Sequence, residues 1–376
     1  MLIFNCGVNE CKTCLQILHS PTLFSHISFT TQQPERTESV IIMHWNSRFI
    51  EINTSKSLLN IRDVPGATQF LTLSYTIFST TLYVLRRSTY NKLEKSDDNL
   101  EFSSIVSPIL QLIPATLLKY PYSIVLSNLI DVKIWKAIAN LVFLLIGGSH
   151  IERSWNSSKE LLKFVLIIGS LTNMLTVTIT ATLSLFFPAI DLNSPLDGNY
   201  TMIIGFPIIL KQLYPETTIF RLKNLGYFSK NFRFKLLPIF IMFILTFSQL
   251  FVFHHFAQLL SIWITFFSSW TYLRFYQVLQ INFENTGDCL LGDASDTFQL
   301  IYFFPDLIKP VLRPIFDFTY NILSVRLKIV RSFEIDDIDR GNSVAEHRGA
   351  KKITNTTEER RKQLALQILQ ERMVEP

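Results

Sequence analysis

Hydrophobic positions along this chain gather into long blocks separated by polar, charged stretches. A membrane-spanning helix needs roughly 17–25 predominantly apolar residues, and that length picks out the blocks one by one. Residues 64–85, VPGATQFLTLSYTIFSTTLYVL, carry Pro65 near their start, where proline is tolerated. Residues 132–148, VKIWKAIANLVFLLIGG, place Lys133 and Lys136 near one end, where long side chains reach back to the interface. Residues 164–187 are apolar over a full span. Residues 199–214 are short, and Pro207 predicts a kink. A short kinked helix suits the inside of a bundle. Residues 236–273 run apolar for 38 positions, which as one helix would extend about 57 Å. The hydrocarbon core is only about 30 Å thick, so this run must fold back. His254 and His255 are the most polar point near its middle. The pattern therefore predicts six spans within residues 64–277, an all-α polytopic membrane protein.

Residues 102–130 are also apolar but are broken by Pro108, Pro114 and Pro121, and read as a long structured or interfacial loop. Charge orients the bundle. Residues 188–198 contain Asp191 and Asp197 and no Lys or Arg, whereas 211–235 contain Lys211, Arg221, Lys223, Lys230, Arg233 and Lys235. The positive-inside rule puts the second loop in the cytosol. By alternation both termini are cytosolic and the His254–His255 turn is lumenal. Arg86 and Arg87 then fall on the lumenal side against the rule, in a long loop where the rule weighs less.

Composition agrees with the pattern. Charged residues make up 17% of the 376, below the roughly 25% of soluble domains, and they concentrate at the two ends. No basic stripe with interleaved aromatics points to nucleic acid. Three of the four cysteines, Cys6, Cys11 and Cys14, lie in the first fourteen residues, with Cys289 far away, which argues against a disulfide framework. Cys11, Cys14, His19 and His26 are types that bind zinc, but their spacing is not a standard one. No metal or cofactor is expected. Residues 1–42 fit no targeting class, and Met43 is an alternative start that would make them optional.

Ionisable side chains inside a membrane are costly and often functional, which directs attention to His254 and His255. A six-span core with a long first lumenal loop, a short buried fourth helix and a histidine near the sixth resembles the rhomboids, whose active members are intramembrane serine proteases. GGSHIE (147–152) is similar to the end of the rhomboid second helix. Asn140 stands where rhomboids keep an oxyanion-side asparagine, and KYPYSIVLSNLI (119–130) resembles the loop before that helix. The catalytic motif is degenerate. With Gly198 as the first glycine of Gly-x-Ser-Gly, Tyr200 replaces the serine and Thr201 the second glycine. Lys136 replaces the oxyanion-side histidine, four residues before Asn140. A hydroxyl nucleophile needs an adjacent base, and Thr201 with His255 is the one residual dyad. No catalytic residue is expected.

Four separated motifs resemble a narrower group, the transmembrane protein 115 family of Golgi rhomboid-like pseudoproteases, in its fungal form. They are SSWTYLRFYQ (268–277), GDASDTFQLIYFFPDLIKPVLRPIFD (292–317), GFPIILKQLYPE (205–216) and EERRKQLALQILQERM (358–373). The resemblance implies a rhomboid-like Golgi membrane protein cycling with the endoplasmic reticulum. It also implies a role in Golgi-to-reticulum retrograde transport and Golgi glycosylation, and contact with vesicle-tethering machinery.

The remaining expectations concern single segments. Residues 1–63 form an N-terminal cytosolic segment. Trp270, Tyr272, Arg274 and Tyr276 read as interfacial anchors closing the sixth span; the alternative for Arg274 is to hold the following GDASD. Residues 278–330 read as an amphipathic segment on the cytosolic membrane face, or as another short buried helix. Residues 331–376 form a cytosolic tail. In it a capping box, Thr356 and Glu359, opens a helix whose stripe of Leu364, Ile368 and Leu369 is a partner-binding candidate, or folds back on 292–330. Asn199 begins an NYT sequon almost at the membrane, and Asn156 and Asn355 begin sequons on the cytosolic side. The favoured function is a non-catalytic adaptor that binds transmembrane clients by contact between spans 2 and 5. Membrane lipids are further partners, and homo-oligomer formation stays open. The competing class is a transporter or lipid-handling protein, with an active protease third.

Overall fold

The computed structural model describes residues 42–46, 50–55, 63–93, 102, 105–188, 190–215, 218–222, 232–233, 236–280, 289–305, 308–328 and 330–350. Strands β1 (Ile42–Asn46) and β2 (Ile50–Ser55) pair antiparallel and precede the first long helix, α1 (Gly66–Leu93). Helix α2 (residues 134–155) and α3 (Ser158–Ser184) form a hairpin turned by Asn156 in the left-handed conformation, with Ser157 capping the second helix. Helix α4 (Thr201–Leu213) is followed by β3 (Thr218–Leu222) and β4 (Phe232–Arg233). Helices α5 (Leu237–Phe253) and α6 (Phe256–Phe275) form a second hairpin. Strands β5 (Val278–Gln280) and β6 (Cys289–Leu291), helix α7 (Lys309–Asn321) and helix α8 (Ile335–His347) complete the described chain.

The six expected helices are present, and the 38-residue run does fold back at the histidines. His254 closes α5 at φ 55° and His255 opens α6 in an extended conformation. Residues 105–130 hold only short turns and helices of four residues or fewer, as their prolines imply. By length and composition, one helix among the described residues, Ser158–Ser184, is long and apolar enough to cross a membrane, while α4 and α5 are apolar but shorter. Helix α1 is more polar because it is rich in threonine. Thr72, Thr76, Thr80 and Thr81 each donate a hydroxyl to a carbonyl one turn back, so the polarity is spent inside the helix.

Helix α4 is the centre of the molecule. All eight residues of Phe206–Leu213 are buried, among them Pro207. A wider turn over Thr201–Gly205 ends just before Pro207, where a missing N–H and a bulky ring are most easily fitted. Around it pack Leu71, Leu144, Ile151, Phe164, Ile262, Phe266 and Leu273 from the other helices. The outer surface is apolar too. Helix α5 turns Phe243 (67% exposed), Phe251 and Val252 outward, a surface suited to lipid rather than water.

The all-α expectation needs one addition: two small antiparallel sheets. The first has the order β1-β2-β3-β4, the second pairs β5 with β6. Ile50–Glu51–Ile52 lie opposite Leu222–Arg221–Phe220. Residues 50–55 alternate apolar and polar at their start, the pattern of a strand. The partner strand is some 170 residues away, so only the tertiary fold reveals the pairing. A sheet joining the segment before α1 to the segment after α4 keeps both on one side of the bundle.

Arg86 resolves its own conflict with the charge rule. It is buried, and its guanidinium donates to the carbonyls of Ile105 (2.8 Å) and Phe102 (2.9 Å). It anchors the loop after α1 rather than standing as a solvated charge.

Candidate functional site

The degenerate motif residues meet at one end of the bundle. Lys136 and Asn140 are four apart on α2 and so share a face. Asp131, just before that helix, is buried (5% exposed) and accepts from Asn140 Nδ2 at 2.6 Å and from the Tyr75 hydroxyl of α1. Lys136 Nζ lies 3.3 Å from Asp131 and 2.8 Å from Asp197, the latter just ahead of α4, and 5.0 Å from the centre of the Tyr200 ring. One ammonium between two carboxylates leaves the cluster with a net negative charge. Lys136 is thus held by acids of this chain, and not presented as the donor of an oxyanion pocket.

Tyr200 is buried. Its hydroxyl donates to Gln258 Oε1 of α6 at 3.4 Å and accepts from Gln249 Nε2 of α5 at 3.4 Å, and Gln249 bonds Gln258 directly at 3.0 Å. Thr201 is buried and its Oγ1 meets no hydrogen-bond partner. His254 and His255 are exposed at the α5–α6 turn, and no hydrogen bond joins either to Thr201. The residual dyad is not assembled. Without a base in reach, the threonine hydroxyl stays a weak nucleophile.

Gly198 has a packing reason of its own. A Cβ there would fall 2.3 Å from Ser127 Oγ and 2.8 Å from Asn173 Nδ2, so no larger residue fits. Ser127, Asn128 and Asn173 form the hydrogen-bonded wall it touches. Asn199 is wholly buried, which leaves its sequon inaccessible in the folded chain.

The opposite end holds residues that the sequence reading assigned differently or missed. Of the four residues read as interfacial anchors, only Tyr276 is exposed. Arg274 is buried and donates to the carbonyls of Asp293 and Ser295, with its guanidinium over the Phe333 ring. It holds GDASD, the alternative given for it above. Trp270 Nε1 donates to the Phe298 carbonyl (3.1 Å), and the Tyr272 hydroxyl to Glu160 (2.8 Å).

Glu152, the last residue of GGSHIE, is buried and accepts from the N–H groups of Ala67 (3.0 Å) and Thr68 (2.8 Å) at the start of α1, and from the hydroxyls of Thr68 and Ser158. It caps a helix from another helix, where the first N–H groups lack intrahelical partners and a carboxylate suits the dipole. An acid inside an apolar region is the signal that marks both Glu152 and Asp131.

Helix α8 docks on GDASD. Asp296 N–H donates to Asn342 Oδ1 (2.8 Å), Asn342 Nδ2 returns a bond to Asp296, and Phe333 stacks on Phe275. Arg348 stands 4.0 Å from Asp293; burial lowers its pKa from the usual guanidinium value, and Asp293 opposes that shift. Among the described residues no group of three His, Cys, Asp or Glu could hold a metal ion. Cys11, Cys14, His19, His26, Thr356, Glu359, Leu364, Ile368 and Leu369 lie outside the described residues.

Comparison with known proteins gives the family. Residues 69–375 match the model described as eukaryotic integral membrane protein (DUF1751). The transmembrane protein 115 homolog of Saccharomyces cerevisiae is 56% identical over 343 residues, 89% of this chain and 100% of the relative. Rhomboid-like protein 19 of Arabidopsis thaliana is 28% identical over 218 residues, 57% of this chain and 66% of the relative. Transmembrane protein 115 of Homo sapiens is 24% identical over 253 residues, 65% of this chain and 66% of the relative. None of these names is that of a protease. No solved structure matches.

Proposed function

This chain belongs to the transmembrane protein 115 family of eukaryotic integral membrane proteins, in its fungal branch, and on that premise we propose that it is a non-catalytic, rhomboid-like membrane adaptor of the early secretory pathway. It resides in the Golgi membrane, cycles with the endoplasmic reticulum and serves Golgi-to-reticulum retrograde transport and Golgi glycosylation. The observation that carries the non-catalytic part is the state of the degenerate motif. Lys136 is tied to Asp131 and Asp197, and Thr201 has no base. By the rhomboid resemblance, this ion cluster stands beside the positions at which a protease would keep its chemistry, which supports the reading.

Six spans with both termini cytosolic follow from the same reading. Sheet pairing of β2 with β3 supports it, because strands before α1 and after α4 share a face only if an even number of crossings separates them. The basic residues after α4, Arg221, Lys223, Lys230, Arg233 and Lys235, support that face being cytosolic. The GDASD segment and α8 then sit on the cytosolic side, and in this reading the tail contacts tethering machinery. Clients are transmembrane helices recognised beside α2 and α5. Helix α5 suits this role, because Pro238, Met242 and Gln249 are its buried residues and the rest of it faces outward or is half-buried.

Proximity labelling from the C-terminal tail, with microscopy against Golgi and reticulum markers, tests the proposal. Golgi co-localisation with labelled coat or tether proteins is the expected result. A vacuolar or plasma-membrane location would overturn it. Deleting residues 356–376 without change in location or co-purifying partners would remove the tail from the mechanism. Mutating Thr201 and His255 together to alanine, with loss of function in a deletion strain, would revive catalysis.

A further inference from the structure

The chain does not leave the bundle after α6. It turns back along it. Arg274, Trp270 and Phe266 are spaced four apart and form one stripe of α6. Successive parts of the following segment meet that stripe in order. Asp293 and Ser295 bind Arg274, the Phe298 carbonyl binds Trp270, and the Phe303 ring stands edge-on to Phe266 with centroids 5.7 Å apart. Eight residues of helix separate Arg274 from Phe266, about 12 Å along the axis. Phe298 and Phe303 are buried, and Lys211 of α4 lies 3.1 Å from the centre of the Phe303 ring. By Phe303 the chain has gone back about 12 Å along α6, toward the level of the apolar core. Helix α7 starts a few residues later.

That helix has three stripes. Leu312 and Phe316 are half-buried, and Phe316 packs against Phe304 with ring centres 5.7 Å apart. Arg313, Asp317 and Asn321 form a polar stripe. Val311, Ile315 and Phe318 form an apolar stripe and are 66%, 54% and 68% exposed. No residue of α7 is buried, which sets aside the alternative of another short buried helix. An amphipathic helix brought back beside a spanning helix, with one apolar stripe on the protein and a second one open, has the build of an interfacial membrane helix.

We propose that α7 lies in the headgroup–acyl boundary of the leaflet where α6 ends, with phospholipid acyl chains covering Val311, Ile315 and Phe318 and with Arg313 and Asp317 turned to water. The 293–303 segment sets its depth by pinning it to the α6 stripe. This inference rests on the reading of α6 as a membrane span.

The test uses the full chain with its four cysteines replaced by serine, reconstituted in phosphatidylcholine–phosphatidylserine liposomes. Nitroxide labels are placed singly through Ile315→Cys, Phe318→Cys, Asp317→Cys and, on α6, Phe267→Cys. Collision with oxygen is compared with collision with a water-soluble nickel chelate. The proposal expects labels at 315, 318 and 267 to favour oxygen several-fold, and the label at 317 to favour nickel. Nickel preference at 315 and 318 with oxygen preference at 267 overturns this inference and leaves the span intact. Shielding of 315 and 318 from both reagents also overturns it, because protein then covers the stripe. Nickel preference at 267 defeats the span reading first. Phe318→p-benzoylphenylalanine in the otherwise native chain gives an independent reading. Crosslinking to phospholipid supports the proposal, and crosslinking to protein alone defeats it.

Discussion

Two buried carboxylates stand at opposite ends of α2, and they are satisfied in opposite ways. Asp131 ahead of the helix is held by a cation, an amide and a phenol. Glu152 near its far end is held by the backbone N–H groups that open α1 and by two hydroxyls. The first arrangement sits among the residues that resemble the rhomboid motif positions. It depends on ion pairing, and a side chain changed alone leaves an ion unpaired. The second depends on a helix terminus, whose partial charge no side-chain substitution removes. One end of the bundle is thus secured by a set of side chains that must be kept together, the other by the geometry of the backbone.

The largest effect should come from breaking the ion-paired end. Lys136→Met strips the cation from Asp131 and Asp197, and removing one partner of a buried pair costs about 3–5 kcal/mol. Thermal unfolding in detergent should show a correspondingly large loss. Lys136→Met with Asp131→Asn should recover much of it, because the buried charge goes with its partner. No recovery would mean that Lys136 is not chiefly balancing Asp131.

At the backbone-held end, Glu152→Ala should cost about 2–3 kcal/mol, from a lost cap and buried N–H groups left unsatisfied. Glu152→Gln, which keeps an acceptor oxygen, should cost about half as much. Equal losses for the two variants would assign the effect to charge rather than to the cap. Arg274→Gln should cost about 2 kcal/mol by releasing the carbonyls of Asp293 and Ser295. Limited proteolysis should then cut within residues 289–305 well before the bundle opens. Asn342→Ala removes the paired bonds to Asp296, a loss of about 1 kcal/mol, and should loosen α8 with little effect on the helices. His255→Ala should stay within about 0.5 kcal/mol of the parent and leave function unchanged. A large loss at this exposed turn residue would point to a contact that the geometry of the turn does not contain.

Part of this architecture is legible in the sequence. The α5–α6 turn at His254 was legible because a length was decisive: the apolar run exceeds the membrane and must reverse. The burial of α4 was legible from its shortness and Pro207. The function of Arg274 was legible only as the second of two readings, because an arginine ending an apolar run has the same local pattern whether it meets headgroups or carbonyls. Those carbonyls come from Asp293 and Ser295, and only the return of the chain along α6 brings them near. Glu152 was visible as the end of a resembling motif, but its partners Ala67 and Thr68 lie more than eighty positions away. The sheet escaped for the same reason.

Apolar block lengths, prolines and the asymmetry of charge determined by themselves a helical membrane protein with a fold-back at His254–His255. Those signals are local and one-dimensional, since a helix reads its own length and composition. Only the tertiary structure decided which buried charges pair, which helix caps another, and where the chain goes after α6. Each of those outcomes depends on a distance between residues far apart in sequence, and a buried ion or open N–H takes whichever partner the packing brings within about 3 Å.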